Sequence, residues 1–177
     1  MAYAAYLKKR FPWDGVKIVP YDGGVARFLA DPDFGQQCFV TSEPIAAKRQ
    51  GGDPRVFLIA EAGFNPYTTV LVTRAELVRE KPALVRAFAR ASSEGWQSYL
   101  ADPAPVNRLL RRLNSSMDDE TMAAAAAAQK PLIETDETAA RGLGAMTVER
   151  WATLANQLHD LGFIERAPTA AELVAPM

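Results

Sequence analysis

Apolar and polar positions along the first third of the chain alternate between helical and extended spacing, in the manner of an α/β unit. Tyr3, Tyr6 and Leu7 recur at helical spacing until Pro12 stops them, and the apolar run at 16–19 then reads as a short strand. After the Tyr21-Asp22-Gly23-Gly24 turn, residues 25–30 predict a helix of one to two turns, ended by Asp31-Pro32-Asp33. The largely apolar run at 37–41 predicts a second strand, and Ser42-Glu43-Pro44 then opens a helix over 45–49. Proline in the first turn loses no hydrogen bond, and Glu43 suits the exposed amides there. Turn residues at Gly51-Gly52-Asp53-Pro54 and Asn65-Pro66-Tyr67 set off two more apolar runs, 56–60 and 68–72. Three or four strands among helices predict a small mixed sheet with helices packed on its faces.

From Arg74 onward the pattern is nearly all helical. Pro82 starts a helix in which Leu84, Val85, Phe88, Ala91, Ser92, Trp96 and Tyr99 fall near one face, until Asp102-Pro103 ends it. A short helix follows over 106–113. Ser116 and Asp119 stand at capping-box-like spacing before Met122 and the alanines 123–128, whose helix propensity is high. A last helix begins at Thr147, with Met146 and Trp151 placed as a hydrophobic staple and Gly162 as its C-terminal stop. The tail from Pro168 to Met177 is small and polar enough to be partly mobile.

Composition narrows the function classes. Hydrophobic content of 49% with 23% charged residues is that of a folding chain, and 177 residues hold one core or two small subdomains. A formal net charge of -1, with no concentrated Lys/Arg stretch beyond the helically spaced Arg108, Arg111 and Arg112, argues against a nucleic-acid partner. The single cysteine, Cys38, excludes an internal disulfide and a multi-cysteine metal site, and the single histidine, His159, argues against a histidine-based zinc site or a Ser-His-Asp triad. No cofactor is expected. The N-terminal residues place their positive charges after the short apolar stretch, the reverse of a signal peptide, and no apolar run nears the ~18 residues needed to span a membrane. As given, the chain carries no export address and is expected in the cytoplasm if made in this form.

The candidates for chemistry each have two readings. Glu43, where a strand meets a helix, can project into a cleft and accept hydrogen bonds from a cationic or amine-bearing ligand. It can equally be a helix-start carboxylate held by the dipole. Tyr21, Asp22 and Gly23 can offer an aromatic face and backbone amides to a ligand, or form an ordinary strand-to-helix turn. That turn is too short for a dinucleotide fingerprint and lacks the ending of a phosphate-binding loop. Tyr67 closes a turn that serves as a pocket wall or hinge, or only as a turn. Cys38 reads as a small core residue, and His159 as a helix C-terminal residue. Nothing assembles a catalytic set.

The segments YDGGVARFLADPDFGQQCFVTSEP, GFNPYTTVLVTRAELVREKPALVRAFARASSEGWQSYLADP and QKPLIETDETAARGLGAMTVERWATLANQLHDLGFI, in that order, resemble one family. They are similar to the substrate-binding proteins of ABC importers, in the subgroup of nitrate, alkanesulfonate, taurine and thiamine-precursor pyrimidine binders. The resemblance covers nearly the whole chain and implies a periplasmic binding protein-like fold of type II, with two α/β lobes closing on a small molecule by hinge motion. In that pattern residues 1–68 are most of the second α/β lobe. Residues 69–177 are a crossing strand and a mostly helical part that packs on the first lobe. The family ordinarily carries further chain before this point, holding the signal peptide and the first lobe's sheet, so half of the cleft is expected to be missing.

The resemblance further implies a solute-binding component that does no chemistry, a small-molecule ligand, a permease as partner of the full-length protein, and a periplasmic location. Tyr21, Asp22, Gly23, Glu43 and Tyr67 would line the remaining wall. Apolar faces meant for the absent lobe would favour self-association. Two other readings compete. One is a pyrimidine synthase of the yeast type, which shares the fold and consumes its own histidine but carries a cysteine-rich motif absent around Cys38. The other is a free-standing, self-associating α/β module that has lost transport.

Overall fold

The computed structural model describes residues 1–115 and 117–175, and its regular structure is helical. The chain divides into two compact units. One comprises Met1–Val19, Phe57–Arg90 and Met146–Met177; the other comprises Pro20–Val56 and Ala91–Ala145.

The first unit holds α1 (Ala2–Arg10), α4 (Ala75–Glu80), the start of α5 (Pro82–Ala101), α9 (Val148–Asp160) and α10 (Ala170–Leu173). α1 ends just before Pro12, as its sequence requires, with Lys8, Lys9 and Arg10 in the last turn, where cations suit the helix dipole. Tyr6 projects from α1 onto Phe64, ring centroids 5.3 Å apart, and donates its hydroxyl to the Ala62 carbonyl at 3.2 Å. Among the described residues of this unit, Phe64 from the turn and Ala155 from α9 are the buried apolar ones. α9 starts at its predicted cap, where the Thr147 hydroxyl accepts from the Arg150 amide. It stops at Gly162, whose φ of 72° lets the Phe163 and Gly162 amides turn back to the Leu158 and His159 carbonyls. Beyond it, Arg166 grips Glu172 of α10, which also accepts from the Thr169 amide at 2.8 Å.

The second unit holds α2 (Ala26–Ala30), α3 (Glu43–Arg49), the end of α5, α6 (Ala104–Leu113), α7 (Asp119–Ile133) and α8 (Asp136–Arg141). α7 packs on α6 and α3, with Met122 and Ala126 buried alongside Leu100 of α5. Asn107, buried on α6, accepts from the Tyr99 hydroxyl at 3.1 Å, so its polarity is matched inside the packing. Arg49 forks onto the Asp118 carboxylate at 2.7 and 3.0 Å and also reaches the Thr121 hydroxyl. The capping-box-like spacing of Ser116 and Asp119 resolves differently: Asp118 is the N-cap of α7, accepting from the Thr121 amide at 2.8 Å, and Ser116 lies outside the described residues. So do Pro176 and Met177 of the tail.

The expected α/β lobe with a small mixed sheet is not present. Among the described residues no strand forms, and the fold is mostly helical rather than that of a type II binding-protein lobe. Among the described residues these four runs show local turn bonds rather than a ladder. Val16 donates to Trp13, and Ser42 to Phe39, while residues 58–63 curl through three successive turn bonds. The Phe39 amide is taken by the Glu43 side chain at 3.1 Å. A strand is defined by a partner distant in sequence, and no backbone bond joins one of these runs to another among the described residues. Short apolar periodicity predicts willingness to pair; it does not supply the partner.

Candidate functional site

The Tyr21-Asp22-Gly23-Gly24 turn, Phe39 and Glu43 form a polar and aromatic cluster in the second unit. Gly23 and Gly24 both take positive φ, 86° and 70°, which folds the turn so that the Gly24 amide donates to the Tyr21 hydroxyl oxygen at 3.1 Å. The Gln36 side-chain amide donates to the Gly24 carbonyl at 3.0 Å and ties the turn to the loop before α3. Glu43 is the first residue of α3, with Pro44 behind it buried against the unit. One carboxylate oxygen accepts from the Phe39 amide at 3.1 Å, and the other lies 3.4 Å from the Tyr21 hydroxyl that donates to it.

The carboxylate accepts from the Phe39 amide, four residues before α3, rather than from an amide of the helix's own first turn. Its acceptor capacity is not exhausted by these contacts. An ionised carboxylate has about four acceptor directions, of which two are used, and the Tyr21 bond is long for an O–H···O contact and cheap to exchange. Tyr21 is 62% exposed, Phe39 is likewise exposed, and Asp22 faces solvent. The cluster is thus a half-buried carboxylate beside the exposed Tyr21 hydroxyl, a setting suited to N–H donors on a small molecule.

Cys38 borders the cluster half-buried, and burial together with the Glu43 charge pushes its thiol up from the ordinary value.

Tyr67 belongs to the first unit and is knotted into its fold. Its hydroxyl oxygen accepts from the Thr147 amide, the cap of α9, at 2.8 Å, and its ring lies 5.5 Å from Trp151. The Arg150 guanidinium stacks 4.0 Å over the ring while donating to the Asn65 carbonyl, the Asn65 side chain and the Pro66 carbonyl at 2.9, 2.8 and 3.0 Å. Sequence reasoning missed Arg150 altogether. Its partners lie 85 and 84 residues earlier, so nothing local marks it. His159 sits exposed at the end of α9, 3.7 Å from Asp160. Among the described residues no cluster of three or more His, Cys, Asp and Glu side chains is arranged to hold a metal.

A separate recess in the second unit, between α6 and α7, is lined by Tyr99, Asn107, Leu110, Met117 and Met122. Its lining is largely apolar, with Tyr99, Asn107 and Asn114 as the polar residues, and it contains none of the predicted site residues.

Residues 9–105, more than half of the chain, match the family described as NMT1/THI5 like, and the chain belongs to that family. It is the family of ABC-transporter substrate-binding proteins for nitrate, sulfonate and thiamine precursor. The matched span includes Tyr21, Glu43 and Tyr67 and stops short of Thr147 and Arg150. No curated protein and no solved structure matches the chain. Among the described residues no helix is long and apolar enough to cross a membrane.

Proposed function

We propose that this chain serves solute capture for an ABC importer, binding a small organic molecule that carries an amine or amidine-like N–H group, without chemistry. In the complete transport system it would act in the periplasm and deliver to a permease. Tyr21, Asp22, Gly23 and Glu43 form the ligand-facing wall; Tyr67 contributes by fixing the turn that closes its own unit. The observation that carries this reading is the Glu43 carboxylate, which keeps acceptor capacity free beside exposed Tyr21.

Calorimetric titration of the chain with taurine, an aminopyrimidine and nitrate tests it. The amine-bearing compounds bind and nitrate, which has no N–H to offer, does not. A hydrogen bond to a charged group contributes about 1.5–3 kcal/mol, so Glu43→Ala weakens binding about ten- to a hundredfold, with Glu43→Gln between. Equal affinities for the native chain and Glu43→Ala, a preference for nitrate, or no heat with any of the three would each defeat the proposal.

A further inference from the structure

α3 carries Glu43 at its first position and Arg49 at its last. At seven residues it is too short to be stable alone, so its placement depends on what holds it. Its buried residues, Pro44 and Ala47, stand about one turn apart and form a single stripe. Such a stripe fixes where the helix lies but leaves it free to roll about its axis. Side-chain tips lie about 5–6 Å from a helix axis, so a roll of about 20° moves them by about 2 Å, enough to break the 3.1 Å bond between the Phe39 amide and Glu43.

The roll is stopped at the other end of the helix. The Arg49 guanidinium donates twice to the Asp118 carboxylate, at 2.7 and 3.0 Å, and once to the Thr121 hydroxyl, with the Glu120 carboxylate 3.7 Å away. Three bonds from one planar group define an orientation as well as a distance. Asp118 is itself held as the N-cap of α7, accepting from the Thr121 amide at 2.8 Å, and α7 is anchored by its buried Met122 and Ala126. The bond from Arg49, with those from Thr121, keeps the Asp118 carboxyl well below the usual carboxylate range, so the fork stays charged near neutral pH. The two side chains are 40% and 46% exposed, and an ion pair so placed contributes little to stability. What it supplies is geometry.

We propose that Arg49 and Asp118 are positioning residues for Glu43: their fork fixes the roll of α3 and so keeps the Glu43 carboxylate between the Phe39 amide and the Tyr21 hydroxyl, in the attitude that meets the ligand. This assignment rests on the reading of Glu43 as a ligand-binding carboxylate. All of these residues belong to one compact unit.

Arg49→Gln removes the fork, and Asp118→Asn removes its charge while keeping a cap, since asparagine caps helices about as well as aspartate. Two readouts on the whole chain separate the fork from the ligand. Without ligand, the Phe39 amide proton shift recorded from acid to neutral pH follows ionisation of the carboxylate that accepts from it. The expected change is about halved or less in both variants, with the Ala126 amide of α7 unmoved. With taurine, Arg49→Gln weakens binding about three- to tenfold in the native background, part of what Glu43→Ala removes, and by less than about 1.5-fold when added to Glu43→Ala. A general loss of structure would weaken both backgrounds alike. An unchanged Phe39 response, or equal losses in the two backgrounds, overturns the positioning role. If taurine does not distinguish the native chain from Glu43→Ala, the ligand reading of Glu43 is what falls, and the Phe39 response still decides whether the fork holds the carboxylate.

Discussion

Arg150 joins the Asn65-Pro66-Tyr67 turn to the start of α9 through three hydrogen bonds and a stacked ring, and replacing it isolates what a planar fork contributes. Lysine keeps the charge and most of the stem but can aim only one ammonium at these acceptors. With about 1 kcal/mol for each partly exposed hydrogen bond, Arg150→Lys forfeits two, or about 2 kcal/mol. Arg150→Met forfeits all three and the ring contact, itself about 0.5–1 kcal/mol, for a total of about 3–4 kcal/mol. Trp151 lies 5.5 Å from Tyr67 and reports this region when Trp13 and Trp96 are replaced by phenylalanine. Urea unfolding followed by its fluorescence yields the midpoint shift at constant slope. If Arg150→Lys unfolds within about 0.5 kcal/mol of the parent, the range of an ordinary surface change, then charge alone holds the turn and the fork reasoning is wrong.

Two further outcomes follow from the electrostatics. Arg166 and the Thr169 amide hold the Glu172 carboxyl down at about 2, so the tie on α10 is fully present above the ordinary carboxylate range and is lost as pH falls through about 2. Carboxyl chemical shifts recorded against pH should show this, and titration of Glu172 in the ordinary range would contradict it. At Cys38 the Glu43 charge adds to burial in raising the thiol, so Glu43→Gln increases the thiolate fraction at neutral pH. Cys38 in that variant should react faster with a disulfide reagent than in the native chain; an unchanged or slower rate would place the carboxylate's influence elsewhere.

Helices were legible from local pattern because every bond that makes them is local. Pro12, Pro82, Thr147 and Gly162 mark boundaries that the fold respects to within a residue or two, since caps and breakers act on the nearest turn. The short α8 went unseen because no apolar stripe marks it; it stands on the reciprocal cap between Thr135 and Thr138. The strands failed for the opposite reason. Residues 37–41 have strand composition, but the Glu43 side chain captures the Phe39 amide from four residues away.

The family was written in the chain, in residues 9–105. Side-chain chemistry and helix periodicity are properties of the sequence itself. Only the tertiary structure decided that Tyr21 and Glu43 lie together, that Tyr67 is committed to Thr147 and Arg150, and that four apolar runs form no strand among the described residues. Those outcomes depend on which distant segments meet, and the free energy of such a meeting is set by both partners and the space between them rather than by either segment alone.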